Sequence, residues 1–195
     1  MMEQQPPDKK RPTVAEIEKE IKRRQVIKAT RSVILSGARI LIVFAAVAVL
    51  ISTLWLPVIR VQQSSMTPTL EDGDSLLFVK TGTVERGDII AFHYDDQVLV
   101  KRVIAIGGDK IDIDYNGVVS LNGETLNEPY ISAPNLGNPT VDLPLQVPAG
   151  QLFVMGDNRA TSVDSRIKEM GPIHEDRLIG KALLRIWPLW RLGTP

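Results

Sequence analysis

The order of apolar and polar positions divides the chain into a charged segment, one long apolar run and a region of short alternating runs. Residues 1–31 are rich in Lys and Arg, and residues 40–59 form a run of 20 residues without a charge. A helix rises about 1.5 Å per residue, so this run spans about 30 Å, the thickness of a bilayer's hydrocarbon core. We therefore expect a transmembrane helix over residues 39–59, preceded by a basic, helical cytoplasmic segment, 1–38.

The flanks of the apolar run indicate its orientation. Arg39 and Arg60 bracket it, and Trp55 lies near its outer end, where an amphipathic ring suits the interface. The basic amino-terminal side is expected to stay in the cytoplasm, which places residues 60–195 across the membrane. A cleaved signal peptide is a competing interpretation because Ala46-Val47-Ala48 resembles a cleavage box, but the leader and the run are longer than that pattern has. A buried helix of a soluble protein is the other alternative, although such helices seldom stay apolar on every face.

A helix start is also visible within the basic segment. Thr13-Val14-Ala15-Glu16 has the pattern of a capping box, and Val14, Ile17 and Ile21 share one side of the helix that follows. This helix either lies on the inner membrane surface, with its cations near anionic lipid, or is simply solvated.

The region after Arg60 has the pattern of an antiparallel β domain. Asn116-Gly117 and Asn122-Gly123 are each typical of a two-residue hairpin turn with positive φ angles. Residues 127–150 contain five prolines and two glycines and are expected to form a surface excursion. Because strands and helices do not alternate, a parallel α/β fold is disfavoured. The predicted strands are Ser75–Lys80, Asp88–Tyr94, Val98–Ile106, Ile111–Tyr115, Val118–Leu121, Gln151–Met155 and Leu178–Trp187. The predicted fold is therefore mostly β: an antiparallel sheet or barrel-like domain on a single amino-terminal transmembrane helix.

Composition narrows the possible chemistry. The chain has 195 residues, a formal net charge of zero, no cysteine and two histidines. The absence of cysteine excludes disulfides, a cysteine nucleophile and thiolate metal sites, and the balanced charge gives no reason to expect nucleic acid as a partner. We expect no metal and no cofactor.

The first segment with candidate chemistry is Ser64-Ser65-Met66-Thr67-Pro68-Thr69-Leu70. Proline fixes its own φ and restrains the residue before it, so a turn is expected here. A serine entering such a turn can present its hydroxyl and its backbone N–H together, which suits a nucleophile whose own amide holds the oxyanion. An ordinary hydroxyl-capped turn is the alternative.

The second segment is Val98–Ile104, in which Lys101 shares a strand face with Leu99 and Val103. Burial disfavours the charged form of lysine and lowers its pKa, and a neutral amine can accept a proton from serine. A lysine whose amine reaches solvent is the alternative. The third segment, Gly156–Arg166, concentrates hydroxyl, carboxylate and guanidinium groups that can rigidify a loop and orient a lysine.

Together, in this order beyond one apolar span, these segments resemble the boxes of type I signal peptidases, the membrane-bound serine proteases that remove signal peptides from exported proteins. The matching residues are Ser65-Met66-x-Pro68-Thr69-Leu70, Arg86-Gly87-Asp88-Ile89-Ile90, Val100-Lys101-Arg102-Val103, and Phe153-Val154-Met155-Gly156-Asp157-Asn158-Arg159 continuing to Ser162-x-Asp164-Ser165-Arg166. The resemblance implies a catalytic domain at 60–195, with a Ser/Lys dyad and no cofactor.

The resemblance also implies roles for individual residues. Ser65, rather than Ser64, matches the nucleophile, Lys101 the general base, and Ser162 the hydroxyl that hydrogen-bonds the base. The Ser65 N–H is expected to be one oxyanion donor, and Gln63 stands where many relatives have the serine that supplies the second. Asp164 and Arg166 match a pair that structures the loop, and Asp157 with Arg159 is expected to do the same. The residues that match the small, apolar substrate pockets are Val61, Met66, Leu70, Leu99 and Val100.

The remaining expectations concern partners and rivals. The resemblance implies exported preproteins as substrates, cut after small residues at −1 and −3, with the lipid bilayer and the secretion translocon as further partners. The compact outer domain resembles Gram-positive members, and the carboxy-terminal aromatic segment 186–190 either touches the membrane surface or packs in the core. His93 and His174 do not occupy the base position. A membrane-anchored β domain that binds exported peptides without cutting them is the main alternative, and a self-cleaving repressor or an enzyme for few substrates are others.

Overall fold

A single long helix forms the amino-terminal part of the molecule. The computed structural model describes residues 14–80 and 82–195, so Thr13 of the predicted capping box lies outside the described residues. Helix α1 (Val14–Trp55) runs without a break through both predicted helical segments. Its stretch Thr30–Leu50 has a mean hydropathy of 2.6 and is long and apolar enough to cross a membrane. The helix ends before Pro57, which lacks an N–H, and the chain enters a strand where residues 58 and 59 were expected to complete the span.

The rest of the described chain folds into antiparallel strands, which confirms the predicted fold class. Eleven strands occur among the described residues: β1 (Val58–Arg60), β2 (Ser75–Val79), β3 (Ile89–Tyr94), β4 (Gln97–Ile106), β5 (Lys110–Ile113), β6 (Val119–Leu121), β7 (Glu124–Thr125), β8 (Leu145–Gln146), β9 (Gln151–Met155), β10 (Ile173–His174) and β11 (Leu178–Trp187). One sheet has the order β1-β2-β11-β3-β4-β9-β10 and the other β7-β6-β5-β8. Two 3₁₀ turns, Glu175–Arg177 and Leu189–Arg191, flank β11.

The seven predicted strands are present, with bounds that shift by at most two residues. The second predicted hairpin turn has positive φ at both Asn122 and Gly123, whereas in the first only Gly117 is in this region. An Asp114 side chain caps that first turn by accepting from the N–H groups of Asn116 and Val118. The strands that the sequence did not predict, β1, β7, β8 and β10, are each two or three residues long.

Residues 127–150 pack more closely than a surface excursion would. Strand β8 pairs with β5, Val147 is buried, and Tyr130 and Leu136 pack on a core cluster shared by the two sheets. That cluster contains Ile104 and Phe153 of the larger sheet. The segment therefore lies against strands β4 and β9, which carry the residues described next.

The pairing of β4 leaves part of its backbone open. Strand β3 pairs with β4 from Gln97 to Arg102, but β9 pairs only with the half that begins at Arg102. The first half, 97–101, therefore has a free edge within the described part of the chain. Strand β1 pairs with β2 alone and has a second free edge. A groove lies between these two edges.

Candidate active site

Ser65 lies in a turn that its buried neighbours fix in place. Met66 and Leu70 are fully buried in a core cluster, and the Leu70 N–H donates to the Met66 carbonyl at 2.9 Å. The Thr67 N–H donates to the Ser64 carbonyl at 3.2 Å, which closes the same turn. Ser65 stays partly exposed, and its own N–H has no acceptor among the residues that the structure describes. The turn therefore presents both the hydroxyl and the amide, as the sequence predicted.

Lys101 reaches Ser65 from the open half of β4. Its Nζ lies 2.7 Å from Ser65 Oγ, although the two residues are 36 positions apart. Lys101 is only 3% exposed. Burial lowers the pKa of Lys101 to about 8; Asp164 and Asp157 act in the opposite direction, and Arg166 adds to the lowering. A substantial fraction of the amine is therefore neutral near pH 8.

The loop after β9 holds the Ser65 turn from the other side. The Asn158 N–H donates to the Ser65 carbonyl at 3.0 Å, and the Asn158 side chain donates to the Ser64 carbonyl at 3.2 Å. Sequence analysis quoted Asn158 within the last box but assigned it no role. Its only signal was its place between two residues that were assigned one.

Gly156 is required where the loop meets the turn. A Cβ atom there would lie 2.4 Å from the Ser65 carbonyl oxygen and 2.3 Å from Ser162 Oγ. Ser162 is thus brought to the site, as the sequence predicted. Its Oγ is buried and has no hydrogen-bond partner among the described residues, so the expected bond to Lys101 is not formed in this structure. A hydroxyl can rotate, so a small shift of the amine would provide that partner.

The charged residues of the loop are all paired, but one predicted pairing is wrong. Asp164 and Arg166 form a bidentate pair at 2.8 and 2.9 Å, as expected. Asp157 instead accepts two hydrogen bonds from Arg102, at 2.9 and 2.6 Å, while Arg159 pairs with Glu128. Side chains two residues apart can diverge, so distant residues of opposite charge become the partners.

The groove between the two free edges has a volume of about 780 Å³ and ends at Ser65 and Lys101. Four of the five predicted pocket residues line it: Val61, Met66, Leu99 and Val100. Leu70 does not line the groove, because it is fully buried beneath the Ser65 turn.

Gln63 lines the groove two residues before Ser65. Its φ is 72°, and its N–H donates to Asp72 Oδ1 at 2.8 Å. The side chain is exposed, so its amide is accessible from the groove. His93 also lines the groove, and His174 Nε2 lies 3.1 Å from the amide nitrogen of Gln151.

A Gly156→Ala substitution tests the close approach directly. We expect it to destabilise the fold by about 1–3 kcal/mol, because the new methyl group cannot fit without moving Ser65 or Ser162. Gly37→Ala is the matched control, since a Cβ there meets nothing within 4 Å. Thermal unfolding in detergent measures both, and an unchanged unfolding temperature for Gly156→Ala would contradict the packing described.

Comparison with known proteins identifies the family. The family model described as "Signal peptidase, peptidase S26" matches residues 34–187. The "Probable signal peptidase I-1" of Synechocystis sp. is 40% identical over 148 residues, which cover 68% of this chain and 72% of that protein. "Signal peptidase I" of Bacillus amyloliquefaciens is 38% identical over 161 residues, covering 76% and 82%. A crystal structure of a signal peptidase I from Enterococcus faecalis V583 has 28% sequence identity and a TM-score of 0.43, and the match covers 51% of this chain and 97% of that one. Because the family model spans most of the sequence, the chain belongs to the signal peptidase family, peptidase S26.

Proposed function

We propose that this chain removes signal peptides from exported preproteins, with Ser65 as the nucleophile and Lys101 as the general base. The observation that carries the proposal is the 2.7 Å separation of Lys101 Nζ and Ser65 Oγ, combined with the burial of the amine. A pKa of about 8 leaves enough neutral lysine to accept a proton at physiological pH. Peptide binding alone would not require a buried lysine beside a serine.

The reaction follows from this geometry. Neutral Lys101 takes the proton of the Ser65 hydroxyl as Oγ attacks the scissile carbonyl carbon, and it then protonates the leaving amine. The resulting ester is hydrolysed by a water molecule that gives its proton to the same amine. Ser65 is regenerated when the ester bond breaks. In the attacked state the Ser65 N–H is free to donate to the oxyanion, and Gln63 is our candidate for the second donor. Ser162 orients the amine as the proton moves.

Substrate selection is proposed to depend on the two free edges and the apolar lining of the groove. An extended segment of the preprotein adds a strand between β1 and the open half of β4, since both have unfilled backbone groups. Val61, Met66, Leu99 and Val100 then limit the side chains that fit near the scissile bond. Shallow apolar pockets accept alanine and exclude larger groups, which predicts small residues at −1 and −3.

The enzyme is membrane-anchored through the apolar stretch of α1. We propose that the amino terminus lies in the cytoplasm and the β domain outside, because Lys and Arg precede the stretch. This topology places the groove on the side where exported chains emerge, with the bilayer and the secretion translocon as partners. A bacterial, Gram-positive source stays a prediction from the compact outer domain.

Cleavage of a model precursor with Ala-x-Ala at its junction tests the proposed function. We expect wild-type protein in detergent to cut after the second alanine and Ser65→Ala to be inactive, because the nucleophile is missing. Ser64→Ala is the matched control and should retain activity. Activity in Ser65→Ala would exclude Ser65 as the nucleophile. Binding of the precursor by both proteins without cutting would favour a peptide-binding function instead.

The pH dependence of cleavage tests the role of Lys101. Since only the neutral amine accepts a proton, kcat/KM should fall about tenfold per pH unit below pH 8 and level off above it. Lys101→Met should abolish cleavage and raise stability at pH 7 by up to about 3 kcal/mol, because the folded wild type suppresses protonation that the unfolded chain favours. This advantage should disappear as the pH rises from about 8 through 10.5. A flat rate between pH 6 and 9 would contradict the role of Lys101 as base.

Gln63→Ala tests the second oxyanion donor. We expect kcat to fall about 10²–10³-fold with little change in KM, since the lost bond forms only in the attacked state. Gln62→Ala is the matched control, because Gln62 is also exposed and also lines the groove. An unchanged kcat for Gln63→Ala would mean that another group supplies the second donor.

A further inference from the structure

Two residues of the segment 127–150 connect to the site without contacting Ser65 or Lys101. Tyr130 donates its hydroxyl to Glu128 Oε1 at 2.8 Å, and the Arg102 guanidinium lies 4.1 Å from the centre of the Tyr130 ring. Glu128 accepts hydrogen bonds from both terminal nitrogens of Arg159. We call Glu128 and Tyr130 the acid–tyrosine pair. It contacts two arginines that lie on opposite sides of the catalytic pair.

The first connection leads from Glu128 to the nucleophile. Arg159 and Glu128 are nearly inaccessible to solvent, with 1% and 6% of their side chains exposed. The Nε of Arg159 donates to the Gly156 carbonyl at 3.3 Å. Gly156 is the residue against which the Ser65 carbonyl and Ser162 pack without room for a methyl group. A shift of Arg159 is therefore transmitted to Gly156 and on to Ser65.

The second connection leads from Tyr130 to the base. Arg102 follows Lys101 directly in β4, and it holds Asp157 in a bidentate pair. It also donates to the Gly87 carbonyl at 2.8 Å. The Tyr130 ring covers the guanidinium, which stabilises its position by a cation–π contact. Burial and Glu128 raise the pKa of Tyr130, so its hydroxyl stays protonated and keeps donating to Glu128.

The acid–tyrosine pair thus couples the two halves of the site. One member bonds to the loop that supports the nucleophile, the other packs on the neighbour of the base, and the hydroxyl–carboxylate bond joins them. We propose that Glu128 and Tyr130 are positioning residues that fix the separation of Ser65 Oγ and Lys101 Nζ. The proposal rests on the proposed function, because it assigns the pair to that reaction. It matters catalytically because a displacement of about 1 Å at a reacting centre can reduce the rate about 10²-fold.

The test measures kcat and KM for precursor cleavage by the full chain in detergent, well below each variant's unfolding temperature. Glu128→Gln leaves the buried charge of Arg159 without its partner, and we expect kcat to fall 10–100-fold while KM changes less than twofold. Glu128→Asp keeps the charge and should recover part of that loss. Tyr130→Phe removes only the hydroxyl bond, keeps the ring over Arg102, and should lower kcat severalfold.

Two matched controls make the same chemical changes at exposed positions. Glu124→Gln and Tyr115→Phe should keep the wild-type kcat, because both side chains face solvent. Wild-type kcat in folded Glu128→Gln and Tyr130→Phe would overturn the proposal, as would a raised KM with unchanged kcat. If Glu128→Gln does not fold, Tyr130→Phe and Glu128→Asp decide. Ser65→Ala in the same assay keeps the two proposals separate: residual cutting by that variant contradicts the proposed nucleophile, whatever the Glu128 variants do.

Discussion

The placement of a lysine amine inside the protein, within hydrogen-bond distance of a serine hydroxyl, is the constraint on which this site depends. Water stabilises a charged amine, so burying Lys101 shifts it toward the neutral form and lowers its pKa to about 8. The shift corresponds to about 3 kcal/mol that the fold must supply elsewhere. The buried cores beneath the Ser65 turn and behind β4 supply it, since they leave neither partner room to move away.

The charged residues around the amine balance two opposing requirements. Asp164 and Asp157 favour the protonated lysine, and Arg166 disfavours it, so each carboxylate is held by an arginine that limits its influence. These arginines also bind backbone carbonyls, including those of Gly87, Asn135 and Leu136. The same ion pairs therefore adjust the electrostatics of the base and determine the shape of the loop.

Local pattern was sufficient to predict the strands and the chemically important residues. The strands Gln151–Met155 and Leu178–Trp187 were predicted with the observed bounds, because their apolar runs are long and end at turn residues. Strands of two or three residues, such as β7 and β10, carry no detectable period and form only where a neighbour pairs with them.

Contacts between distant residues could not be derived in the same way. Ser65 and Lys101 were both candidates, yet nothing local fixes their separation across 36 positions. The partners of Asp157 and Arg159 were wrong for the same reason, since each bonds to a residue more than 30 positions away. The half-paired state of β4 has a last consequence. Its unfilled amides and carbonyls accept only chain that has not yet satisfied its own, so a precursor that folds up to its junction escapes the enzyme, and maturation becomes a race between cutting and folding.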